Sequence, residues 1–188
     1  MKKTVAVIGS RGAIGNAVVD TLLADESVEA VFKFSRAENT EHDDKVKHIF
    51  IDIEDEESIK QATESLPEDT KFDLIFVATG ILHDEKNVFP EKSIKDISFD
   101  KLIKVLTINT IGPTLVGKYF IPYLRKDSKS TFAFLSARVG SISDNKLGGW
   151  YSYRASKTAL NQIIRNFSIE VARSCLLYTS DAADDVAS

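Results

Sequence analysis

Short apolar runs alternate with amphipathic stretches over the first two thirds of the chain. Residues 4–8 form a β-rich run that breaks at Gly9, and Ile14, Val18 and Leu22 then recur at helical spacing. Residues 30–34 and 48–53 predict a second and a third strand, 56–66 the helix that follows, and 72–78 a fourth strand. This last run is continuously apolar from Leu74, as a strand covered on both faces should be. Residues 98–125 read as one long helix with Phe99, Leu102, Ile103 and Leu106 on one face and a kink at Pro113. Residues 131–135 supply a fifth strand and 153–173 another long helix, while the polar stretch 38–47 reads as an exposed loop. Strands alternating with helices predict an α/β fold around a parallel sheet. In such sheets ligands bind beyond the carboxyl ends of the strands, and Gly9, Ser35, Asp52, Gly80 and Ser136 all fall at or just past predicted strand ends.

The bulk properties narrow the class. A chain of 188 residues with 43% hydrophobic and 28% charged positions suits one soluble globular domain, and no stretch approaches the roughly 20 apolar residues of a membrane span. The apolar run 5–8 is too short for the core of a signal peptide. A formal charge of −4 without a Lys/Arg cluster argues against nonspecific nucleic-acid binding. The single cysteine, Cys175, excludes an intramolecular disulfide, and His42, His48 and His83 lack ligand spacing, so no metal site is expected. A cytoplasmic location is the default expectation.

The segment "VAVIGSRGAIGNAVV" sets Gly9, Gly12 and Gly15 between the first strand and the first helix. Small residues there let the backbone approach a pyrophosphate, whose charge a helix N-terminus favours. Ser10, Arg11 and Ile14 belong to the same predicted loop. After the second strand the chain reads "FSRAE". A carboxylate at this position would accept from the ribose 2′-hydroxyl of NAD, whereas the guanidinium of Arg36, beside Ser35, can fork onto a 2′-phosphate. Arg11 adds a second positive charge, so NADP(H) is expected over NAD(H). Asp52, with Ile53 at the end of the third strand, either accepts from the adenine amine or caps the helix beginning in "DEESIK".

Four segments in register resemble the short-chain dehydrogenase/reductase family over residues 1–173. "GSRGAIG" stands at its glycine loop, "ATG" at Ala78, Thr79 and Gly80 replaces its Asn-Ala-Gly, "NTIGP" from Asn109 is similar to its Asn-x-x-Gly, and "YRASK" to its Tyr-x-x-x-Lys. The stretch "SARVGSISDN…LGGWYSYRASKTALN" further resembles the C-factor-like and carbonyl-reductase-like branch. The resemblance implies a Rossmann-type doubly wound parallel sheet binding NADP(H). It implies reduction of an aldehyde or ketone as the small-molecule substrate, with Tyr153 as the proton donor. Lys157, one turn on, would lower the phenol's pKa from near 10 and hold the nicotinamide ribose, and Asn109 would fix a water linking the lysine to solvent. Ala137 stands where the family has its second serine, so Ser136 or Ser141 would serve in its place, Ser136 being preferred. Trp150 and Tyr151 are expected to line or cover the pocket. A homodimer or homotetramer is implied by family habit. A signalling protein that retains the nucleotide fold, and an extended-type epimerase or dehydratase, are the competing expectations.

After Arg173 the pattern changes into "SCLLYTSDAADDVAS". Residues 175–184 resemble the translation of a transposase sequencing adapter, so 174–188 are expected to be a non-native tail. Members of the family continue past this helix with further strands, so the dinucleotide-binding domain, 1–173, is expected to be C-terminally truncated.

Overall fold

A computed structural model describes residues 2–37, 44–84 and 88–173. The tail 174–188, His42 and most of the predicted loop 38–47 therefore lie outside the described residues. Five parallel strands make one sheet in the order β3-β2-β1-β4-β5: β1 (Lys3–Ile8), β2 (Val28–Ser35), β3 (Val46–Phe50), β4 (Leu74–Val77) and β5 (Thr131–Phe134). The strand order reverses between β1 and β4, which places the switch point at the end of β1. This is the Rossmann-type arrangement that the alternating pattern predicts.

Alternation along β1 divides the core in two. Val5 and Val7 pack with Val19, Val28 and Val31 beneath α1 (Ala13–Ala24). Ala6 and Ile8 face the opposite side, where α2 (Glu56–Glu64) and the later helices cover a cluster rich in phenylalanine. There Phe32 meets Phe72 edge-on at 5.2 Å and Phe34 meets Phe120 at 5.1 Å.

Two expectations need correcting. The third strand begins two residues inside the stretch read as loop and ends at Phe50, so residues 51–53 form part of the strand-end loop. The long helix is α3 (Phe99–Leu106), a π-helical turn (Thr107–Ile111) and α4 (Gly112–Phe120). The irregularity is this wide turn, just ahead of Pro113. Pro113 sits in the first turn of α4, where the N–H it lacks has least to bond. The face predicted on α3 also divides: Val105 is buried, while Phe99 and Ile103 are exposed. A final helix, α5 (Tyr151–Arg173), packs against α3 and the π turn. Among the described residues no helix is long and apolar enough to cross a membrane.

Candidate active site

The cleft at the carboxyl ends of the strands begins with backbone geometry. Gly9 takes φ +81°, a left-handed conformation open to glycine, and a Cβ there would lie 2.8 Å from Thr79 Cγ2. The N–H groups of Gly9 and Ser10 both donate to the Phe34 carbonyl, at 2.9 and 3.3 Å, and the buried Ser10 hydroxyl reaches the same oxygen. Gly12 N–H donates back to the Gly9 carbonyl at 3.1 Å. Gly15 packs directly on that carbonyl, since a Cβ on Gly15 would stand 2.2 Å from it. Helix α1 then starts without a side-chain cap from Gly12 and without an acidic residue in its first turn. Its positive end suits an anion.

The cleft has a volume of about 450 Å³ and is walled by this loop, Ser35 and Arg36 at the end of β2, Ile53 and Glu54 after β3, and residues 78–81 after β4. Two hydroxyls bear on what fits there: Ser35 Oγ and Thr79 Oγ1 are buried with no protein partner. Buried polar atoms are normally satisfied, so two orphans on one cleft match the polar edges of a nucleotide. Ile14, by contrast, is exposed on α1. Asp52 Oδ1 accepts from Glu54 N–H, and the cap of α2 is Asp55, whose carboxylate accepts from Glu57 N–H at 3.0 Å. Capping is therefore not the role of Asp52. Arg36 is largely exposed and lies 3.8 Å from Glu54, which also takes Lys104 Nζ at 2.6 Å.

At the other end of the cleft, side chains build the site. Lys157 is buried, its Nζ donates to the Leu135 carbonyl at 2.9 Å, and a Cβ on Gly80 would lie 3.2 Å from that Nζ. Because Gly80 also walls the cleft, α5 reaches it through the absent side chain of a glycine. Asn109, fully buried in the π turn, grips the β4 loop: its Oδ1 accepts from Ile81 N–H at 2.7 Å and its Nδ2 donates to the Ile81 carbonyl and to Ser156 Oγ. Thr110 Oγ1 adds a bond to the Ser156 carbonyl. The structure thus brings Asn109, Gly80, Ser156 and Lys157 together.

Tyr153 lies half-buried one turn before Lys157, with the ammonium 5.9 Å from its ring centroid. Burial pushes the phenol's pKa up and pulls the lysine's down to about 8. This corrects the expectation that the lysine lowers the tyrosine. The ammonium donates to the Leu135 carbonyl, and burial sets the direction of the phenol's shift. Ser136 is turned elsewhere, since its hydroxyl donates to Asn161 Oδ1 at 2.5 Å. Ser141 Oγ lies 3.3 Å from Ser143 Oγ and accepts from Asp144 N–H. The Trp150 ring stands edge-on to Tyr153 at 6.3 Å, and both Trp150 and Tyr151 are partly exposed, at 38%.

Sequence reasoning missed Glu54, Ser156 and Glu91. Glu91, almost fully buried, holds the first turn of α5 by accepting from Ser152. A signal for it exists: residues 148–150, Gly-Gly-Trp, offer no Ser, Thr, Asp or Asn to cap a helix of 23 residues, which calls for a remote acceptor.

Comparison with known proteins agrees with this geometry. The chain is 34% identical over 79 residues to the C-signal of Myxococcus xanthus, covering 42% of this chain and 48% of that protein. It is 29% identical over 124 residues to 1-hydroxy-2-glutathionyl-2-methyl-3-butene dehydrogenase of Rhodococcus sp. (strain AD45), covering 65% and 51%. The chain therefore spans about half the length of these curated relatives. The fold superimposes on the NADPH-bound carbonyl reductase from chicken fatty liver with a TM-score of 0.77 at 25% identity, over 92% of this chain and 72% of that one. The sequence profile described as "short chain dehydrogenase" matches residues 3–176, so both the glycine loop and the Tyr153–Lys157 pair lie within one continuous match. By that match, and with the sheet and cleft described above, the chain belongs to the short chain dehydrogenase family.

Proposed function

We propose that the protein is an NADP(H)-dependent reductase of aldehydes or ketones. The observation that carries this reading is the approach of Lys157, one turn after Tyr153, to Gly80 on the wall of the nucleotide-sized cleft. Gly9, Gly12 and Gly15 would hold the pyrophosphate at α1, Ser35 and Thr79 offer unpartnered hydroxyls, and Arg11 and Arg36 would meet a 2′-phosphate. Bound there, the nicotinamide supplies a hydride to the carbonyl carbon.

The protein's own part is the proton. A phenol whose pKa is raised by burial stays protonated at neutral pH, so Tyr153 enters the reaction with the proton it must give. As the carbonyl carbon gains the hydride, its oxygen takes the Tyr153 proton, and water reprotonates the phenolate. The Lys157 ammonium, below its pKa of about 8, stabilises that phenolate as it forms. Asn109 keeps the lysine's surroundings in place through Ile81 and Ser156. Ser136 would assist only by giving up Asn161, which leaves polarisation of the carbonyl to Ser141 or to Tyr153 alone. Exposed Phe99, Ile103 and Ile111 along α3 and the π turn support a homo-oligomer.

The test is oxidation of NADPH and NADH with a panel of aldehydes and ketones, by the protein and its Tyr153→Phe variant. We expect NADPH-dependent turnover that falls on the order of 10²–10⁴-fold in the variant. Tight nucleotide binding without turnover of any carbonyl would favour a non-catalytic role instead. The similarity to the C-signal and the engaged Ser136 hydroxyl make that the second reading.

A further inference from the structure

We propose that Glu91 is a positioning residue for the α5 tyrosine, acting through Ser152 and the strained turn at Trp150. The inference rests on the reading of Tyr153 as proton donor, because it says what holds that donor in place.

Glu91 is only 1% exposed. Burying a carboxylate is costly unless hydrogen bonds and a favourable field replace its water. Both are present. One carboxylate oxygen accepts from the Ser152 hydroxyl and the other from Ser152 N–H at 3.3 Å, at the start of a long helix whose positive end favours an anion. The Glu91 carbonyl accepts from Trp150 N–H at 2.6 Å. A single residue from the segment after β4 therefore engages both Trp150, just before α5, and Ser152 in its first turn.

The chain it engages is under strain. Gly148 and Gly149 have φ +66°, and Trp150 follows at φ +52°. Left-handed glycines are ordinary, but a left-handed tryptophan persists only where its surroundings over-determine it. Glu91 supplies that determination, and a Cβ on Gly149 would stand just 3.2 Å from the Glu91 carbonyl. The turn leaves the Trp150 ring edge-on to Tyr153, one turn into the helix.

Glu91 is itself braced on both sides. Asp84 and Val88 exchange hydrogen bonds before it, and Asp96 Oδ2 accepts from Lys92 and Ser93 N–H after it. The segment whose Gly80 and Ile81 wall the cleft is thus joined to the head of α5 at a second point, independent of the Asn109 bridge. Packing and the bonds of Ser156, Lys157 and Asn161 hold the body of α5, and Glu91 fixes its first turn, where Tyr153 stands. Glu91 does not line the cleft and its hydrogen bonds go to Ser152 and Trp150, which makes it a positioning residue and not a catalytic one.

The test compares Glu91→Ala, Glu91→Gln and Ser152→Ala in the whole protein. Three readouts are used: kcat and KM for a carbonyl, NADPH affinity, and emission of Trp150, the chain's single tryptophan. Glu91→Ala should lower kcat on the order of 10–100-fold, as a small misplacement of a reacting group does. It should leave nucleotide affinity within about threefold and shift Trp150 emission to the red. Glu91→Gln keeps an acceptor and a donor for Ser152 and should restore most of kcat and the emission. Wild-type kcat in a folded Glu91→Ala variant overturns the proposal. So does a parallel loss of nucleotide affinity with no recovery in Glu91→Gln, which marks a general structural role. Should Glu91→Ala not fold, Ser152→Ala decides, because it removes only the hydroxyl: unchanged kcat there overturns the idea. If no carbonyl is turned over even by the wild type, the reductase reading fails separately. The latch is then judged by Trp150 emission and by the Tyr153 titration midpoint, taken as the difference from Tyr153→Phe. A midpoint and emission untouched by Glu91→Ala overturn it.

Discussion

The two ends of the cleft are made of different materials. At the glycine loop the site is backbone: a left-handed Gly9, a Gly15 pressed on the Gly9 carbonyl, and the bare start of α1. At the head of α5 it is side chains, with Asn109, Ser156 and Lys157 locked through partners that come from distant parts of the chain. A backbone site has no spare volume and fails when an atom is added. A side-chain site fails when a partner is removed or when its charge changes with pH.

The sharpest break in that contrast comes from one methyl group. Gly15→Ala would place a Cβ 2.2 Å from the Gly9 oxygen, and that neighbour is backbone with nowhere to go. We expect destabilisation of about 1–3 kcal/mol from overpacking. Nucleotide affinity should fall at least on the order of 100-fold, roughly 2.7 kcal/mol, as the loop is pushed off α1. Calorimetric titration with NADPH beside a urea melt measures both. Binding within threefold of wild type would mean that the loop is softer than its contacts imply.

The same contrast decides what could be seen in the sequence. Glycine spacing is local, so the loop, its strand and its helix were legible from "VAVIGSRGAIG" alone. The i,i+4 spacing of Tyr153 and Lys157 was equally local. What paired across the chain was not: Glu91 lies 61 residues from Ser152, and Ser136 lies 25 from Asn161. No periodicity encodes those meetings, which depend on how α5 folds back over the sheet. The π turn was misplaced for a related reason. Pro113 was the visible irregularity, but the helix widens at Thr107–Ile111, where Asn109 turns inward to the β4 loop and Gly112 approaches the Ile53 carbonyl. Even the direction of the tyrosine's shift was out of reach, since it depends on how the fold buries the phenol.

The side-chain end should respond to pH where the loop does not. Lys157 has a pKa of about 8 in the folded protein and near 10.5 when hydrated in the unfolded chain. Between those values the unfolded state binds more protons, so this group makes stability rise with pH across that window. Below pH 8 its full cost is present, on the order of 3 kcal/mol. Lys157→Met removes that cost and loses one bond to the Leu135 carbonyl, worth about 1 kcal/mol. The variant should therefore be inactive yet more stable by about 1–2 kcal/mol near neutral pH, with the gap closing by pH 10. Urea melts of both proteins from pH 6.5 to 10 test it. A less stable variant, or a gap that ignores pH, would show that the buried ammonium is better solvated than its surroundings suggest.

The smallest effect on folding and the clearest on selectivity belong to Arg36. It is largely exposed and its ion pair with Glu54 is loose, at 3.8 Å, so Arg36→Ala should change stability by no more than about 0.5 kcal/mol. Its loss should weaken NADPH on the order of 10-fold while NADH binding stays nearly constant, because only the 2′-phosphate needs the guanidinium. Glu54→Gln should act in the opposite sense. It frees Arg36 from a competing carboxylate that already holds Lys104, and it removes a negative charge from the wall the phosphate would face. Both effects should shrink as salt is raised, since the charges lie at the surface. Equal losses of NADPH and NADH affinity in Arg36→Ala would move the 2′-phosphate contact to Arg11. The glycine-loop end would then use a side chain for selectivity beside its backbone cradle, and the contrast between the two ends would be blurred.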